Sequence, residues 1–152
     1  MIIRRFTNKY AHDNIFANSR FSWDRTQAQQ DKATKALGFA PTADDPFWTF
    51  EQIVWALFYL GRREDGMTRE QAGRLATRLY RAAQDHRTAD QLTVVTLLNS
   101  SSSIHPTDSL DLSTDYLSGR CVATALMIEV RGLREMATRA IEEAASIVGV
   151  EK

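Results

Sequence analysis

The chain has 152 residues, 43% hydrophobic and 25% charged, a balance that gives one domain a respectable core and excludes wholesale disorder. Nineteen basic residues offset nineteen acidic ones, so there is no chain-wide basic field and any polyanion must be met by a local patch. Cys121 is the only cysteine, which rules out an internal disulfide. With no signal-like apolar segment at the start and no apolar run long enough to span a bilayer, the expectation is a cytoplasmic protein that does not enter a membrane.

Residues 1–45 are polar and mixed, with Phe6, Tyr10, Phe16, Phe21 and Trp23 scattered through them and no apolar period over 6–20. A helix is predicted from about Trp23 to Leu37, carried by Gln, Lys and Ala propensity and stopped by Gly38. The Pro-flanked stretch Ala40–Pro46 reads as a loop.

The middle of the chain carries stronger signals. Thr49 precedes Phe50-Glu51-Gln52 in a near capping box, and Ile53, Val54, Trp55, Leu57, Phe58, Tyr59 and Leu60 make a helix apolar around most of its girth. Asp65-Gly66 is a tight turn. Thr68 and Gln71 then box a second helix, in which Ala72, Leu75, Ala76, Leu79 and Ala83 recur at three- and four-residue steps. The two helices form an αα-hairpin.

Leu92–Leu98 is short and β-branched, and reads as a strand or a buried helix turn. Asn99–Ser103 is a loop, and Ile104–Leu112 offers a second short strand broken by Pro106. From a cap at Ser113 or Thr114, Val122, Leu126, Val130, Leu133, Ala137, Ala140, Ala144 and Ile147 recur at steps of four and three, the seam of a long helix interrupted by Gly119 and Gly132. Cys121–Val130 also has strand-like composition, so a strand followed by a shorter helix is the alternative. The predicted fold is therefore mainly α. One domain over 1–152 contains a segment at 1–45, a helical hairpin at 46–84, a loop or small β-hairpin at 85–113 (strands within 92–112) and a long helix at 114–149.

Chemistry-bearing patterns are sparse. His12, His86 and His105 stand apart from one another, outside any HxxxH or HExxH spacing, and read as surface or capping histidines. Asp108, Asp111 and Asp115 lack the Gly and closing Glu of a calcium loop, so no metal is expected. Ser100–Ser103 has no G-x-S-x-G context, there is no glycine-rich phosphate cradle, and Cys121 reads as a small buried side chain rather than a thiolate. No cofactor and no catalytic residues are expected.

Two features point outward. Arg4, Arg5, Lys9, Arg20, Arg25, Lys32 and Lys35 stand among the first 35 residues against three acids, Asp13, Asp24 and Asp31, with aromatics interleaved. That is the composition of a nucleic-acid face, and equally of a solvated terminus. The alanine-lined terminal seam packs on the 50–83 hairpin of its own chain or meets a symmetry mate through Leu126, Val130, Leu133, Ala137, Ala140 and Ala144.

Trp48-Thr49-Phe50-Glu51-Gln52-Ile53-Val54, followed after a spacer by Arg62 and then Asp65-Gly66-Met67-Thr68-Arg69-Glu70-Gln71-Ala72, resembles the helices after the wing in MerR-type transcription regulators. Phe21-Ser22-Trp23-Asp24-Arg25 sits where that family ends its recognition helix. The resemblance covers about 35 residues. It implies a winged helix-turn-helix before the hairpin and a dimerisation helix after it. Together with the N-terminal cations it gives the expectation of a small non-enzymatic regulatory protein that binds DNA or a DNA-bound partner, with Arg20, Arg25, Lys32 and Lys35 on phosphates. The competing expectation is a protein–protein interaction module (adaptor, antitoxin-like or immunity-type) using the N-terminal aromatics as exposed anchors.

Overall fold

In a computed structural model of the chain, residues 5–17, 27–110 and 122–148 are described. They divide into two compact units. The first holds the described residues up to Tyr80 together with those from Leu133; the second is Arg81–Gly132.

The first unit begins with strand β1 (Arg5–Thr7) and a helix, α1, in which an α-helical turn, Asn8–Tyr10, runs on into a π-helical segment, Ala11–Phe16. Thr7 caps it, its Oγ1 accepting from the Tyr10 amide at 3.1 Å, and the Ala17 amide donates to the His12 carbonyl in the five-residue step that defines the π turn. Helix α2 (Gln27–Ala36) follows, then β2 (Phe47–Thr49), which pairs antiparallel with β1 so that Phe6 lies opposite Trp48.

The predicted hairpin is present as α3 (Phe50–Glu64) and α4 (Arg69–Asp85). Both capping boxes form: Thr49 Oγ1 accepts from the Gln52 amide while Gln52 Oε1 accepts from the Thr49 amide, and Thr68 and Gln71 do the same. At the turn Gly66 takes φ +102°, and the Gly66 and Met67 amides close on the carbonyls of Arg63 and Arg62, the paired bonds of a Schellman motif. Every residue from Ile53 to Leu60 is buried, so α3 is the axis of this unit. Gln52 Nε2 reaches the Phe39 carbonyl at 2.8 Å and Phe39 stacks on Tyr80 at 4.6 Å, which fastens the connecting loop.

The second unit is built on a three-stranded antiparallel sheet in the order β4-β3-β5, with β3 (Gln91–Leu97) in the centre, β4 (Ser102–Pro106) on one edge and β5 (Val122–Glu129) on the other. Leu92, Val94, Val95 and Ile128 are buried, and buried Thr93 bonds Thr107 Oγ1 at 2.7 Å. The last helix, α5 (Val130–Val148), starts directly from β5, its Arg131 amide donating to the Asp90 carbonyl.

The mainly α expectation is thus corrected: the described residues form two antiparallel sheets as well as helices, and the fold is mixed α/β. The long helix fails over Val122–Glu129, which is strand. Val122, Leu126 and Val130 are four apart, a step that fits a period of 2 as well as one of 3.6, so their recurrence carried no helical information. Pairing with β3 decided the conformation. The cap at Ser113 or Thr114 and Gly119 lie outside the described residues. The absence of apolar order over 6–20 is corrected too. Ala11, His12, Ile15 and Phe16 form one buried stripe, and half of that stripe is Ala and His, which do not announce a core.

Candidate nucleic-acid interface

Helix α2 is held by close backbone approach. Gly73 of α4 faces the end of α2 so tightly that a Cβ there would lie 2.5 Å from the Ala36 carbonyl oxygen. Two residues beyond α2, the Gly38 amide donates to Thr77 Oγ1 at 3.0 Å, and the same hydroxyl donates to the Gly73 carbonyl at 2.7 Å. Gly38 therefore ends the helix by admitting Thr77, not by a left-handed φ. Ala33 and Leu37 are buried, while Lys32 and Lys35, one turn apart, are both exposed.

The N-terminal cations separate into committed and available groups. Arg5 pairs with Asp45 and lies over the Phe47 ring at 5.2 Å. Lys9 is exposed on α1, beside exposed Asp13, and Asp31 is exposed next to Lys32. Arg20 and Arg25 lie outside the described residues, as do Phe21 and Trp23. Arg74, exposed on α4 immediately after Gly73, adds a cation near the end of α2. No sequence signal marks it, since only the Gly73–Ala36 approach brings that position to α2.

Beneath α1 lies an aromatic cluster. Phe16 meets Trp48 edge-on at 5.1 Å, His12 meets the same two rings at 5.4 and 6.0 Å, and Trp48 Nε1 donates to Asn8 Oδ1 at 2.9 Å. Phe6 and Phe16 are thus core residues and Tyr10 is half-buried against Phe6, so these three are not the exposed anchors that a protein-docking segment requires. His12 is likewise a core residue rather than a surface histidine. Burial disfavours its imidazolium and lowers its pKa, against the opposing pull of the Asp13 and Asp31 carboxylates.

Because the folded pKa lies below the unfolded one, the unfolded chain takes up this proton first. The contribution to stability is complete above the ordinary histidine value of about 6.5 and declines as the pH falls below it. The melting temperature of the native chain is expected to drop on acidification from about pH 7 to about pH 5 by more than that of His12→Gln. Equal drops would show that His12 makes no such contribution.

The remaining predicted site residues occupy α5 and β5. Val130, Ala137 and Ala144 are buried, Leu133 and Ala140 are half-buried, and Leu126 is on β5 rather than on the helix. The seam from Ala137 through Ile141 to Ala144 is used inside the first unit. There Arg134 also grips both carboxylate oxygens of Glu51, at 2.9 and 3.3 Å. His86 is exposed, and His105 Nε2 bonds Ser103 Oγ at 2.7 Å. Among the described residues no His, Cys, Asp or Glu group could hold a metal, and no helix is long and apolar enough to cross a membrane. Asp111, Asp115 and Cys121 lie outside them. Comparison with family models, curated proteins and solved structures finds no match to this chain.

Proposed function

We propose that the chain is a small non-enzymatic regulatory protein that binds duplex DNA, with α2 presenting cations to the phosphates. The observation that carries this reading is the pair of exposed cations on α2, in a chain whose residues 48–83 resemble the helices after the wing in MerR-type regulators. Lys32 and Lys35 are exposed on the side of α2 that is not buried. Arg20 and Arg25 are assigned the same role from sequence alone.

Contacts of this kind position a protein on the duplex and release counterions; they do not read sequence. Four phosphate contacts give a slope of about −3.6 in log affinity against log salt, so binding should weaken roughly 100-fold between 50 and 200 mM. Fluorescence anisotropy on labelled duplex checks this directly. Lys32→Ala and Lys35→Ala should each weaken binding on all sequences and reduce the slope by about one. A chain that ignores DNA at low salt, or variants that bind as the native chain does, would overturn the reading and leave a protein–protein interaction module in its place.

A further inference from the structure

The edge strand β5 is open in a way that edge strands rarely are. Between Val122 and Ile128 it has no charged residue and no proline, the usual guards against edge-to-edge pairing. Ala123, Thr124 and Ala125 are exposed, Leu126 is 41% and Met127 59% exposed, and among the described residues no strand lies beyond β5. Alternate residues of such a strand turn their backbone N–H and C=O groups away from β3, ready to pair.

We infer that β5 is a homodimer interface, pairing antiparallel with β5 of a second copy about a two-fold axis at Ala125. The side chains favour a second copy over an unrelated strand. The segment has a small half, Ala123-Thr124-Ala125, and a large half, Leu126-Met127-Ile128. Antiparallel self-pairing lays one on the other: Leu126 faces Thr124, Met127 faces Ala123, and Ala125 faces its own copy. Charge raises no barrier, since the segment is neutral and the whole chain has a formal net charge of zero. Pairing joins two three-stranded sheets into one of six strands and covers the exposed Leu126 and Met127. The inference is independent of DNA binding, and its test contains no nucleic acid.

The axis at Ala125 makes a charge-swap test possible. The side chain is exposed, so Ala125→Lys and Ala125→Glu leave the sheet's buried side chains untouched. Each variant sets like charges directly opposite one another across the two-fold, where Cβ atoms are about 5 Å apart. Sedimentation velocity should show the native chain as a dimer and each variant dissociating up to about fivefold more readily. An equimolar mixture of the two variants should regain the dimer by pairing lysine with glutamate. That recovery also shows that both variants are folded. A native chain that stays monomeric at hundreds of micromolar, variants that associate as the native chain does, or a mixture that stays monomeric would each overturn the inference.

Discussion

Trp48→Ala is expected to cost about 3–5 kcal/mol, a large fraction of the stability that a domain of this size normally holds in reserve. Trp48 is fully buried, and its ring meets both Phe16 and His12 of α1 while its N–H reaches Asn8 of the same helix. It sits on β2 opposite Phe6, so one side chain joins the helix to the two-stranded sheet. Removing it opens a cavity beneath α1 that backbone pairing over three residues cannot close. The melting temperature should fall by roughly 10 °C. Trp48→Phe, which keeps an aromatic ring and gives up the rest of the indole with its N–H, should cost less, since a smaller void is left and Asn8 is exposed and can turn to water. A loss under about 1 kcal/mol for Trp48→Ala would mean that α1 is not held by this cluster.

Gly73→Val is the second large effect, expected to destabilise by about 3 kcal/mol. An added Cβ would lie 2.5 Å from the Ala36 carbonyl oxygen and 2.8 Å from the Ala36 Cβ. The first of these is backbone and cannot swing aside, so α2 must move off α4. Gly73→Ala meets the same obstacle but recovers up to about 1 kcal/mol of helix propensity, and its loss should be smaller. Gly132→Ala is the control. Its Cβ would find only the Glu129 Cβ at 3.7 Å, an ordinary contact, so it should stabilise by up to about 1 kcal/mol. Thermal melts of the variants compare these directly. If Gly73→Val were as stable as the native chain, the close α2–α4 approach that presents Lys32 and Lys35 would be wrong.

What could be read from the sequence was what is locally determined. The hairpin was legible because Thr49 with Gln52, and Thr68 with Gln71, satisfy helix ends within three residues, and because an apolar girth from Ile53 to Leu60 has no place except a core. The three-residue strand β2 was not legible, because its worth lies in β1 and α1, forty residues back along the chain. In β5, a four-residue recurrence common to both periods left strand and helix as alternatives, and the pairing with β3 that decides for the strand is supplied only by the fold. For the candidate interface, composition announced an N-terminal excess of cations but not their fates. Arg5 is taken by Asp45, whereas Lys32 and Lys35 stand exposed because Ala33 and Leu37 turn the other side of α2 inward.

Contact of α2 with DNA can be read residue by residue from amide NMR at low salt with a duplex of about 20 base pairs, room for two half-sites one helical turn apart. Shift changes should concentrate on α2 and its neighbours on α1 and fade as salt is raised, with the core of α3 undisturbed. Shifts absent throughout, or present on β5 and absent from α2, would contradict it.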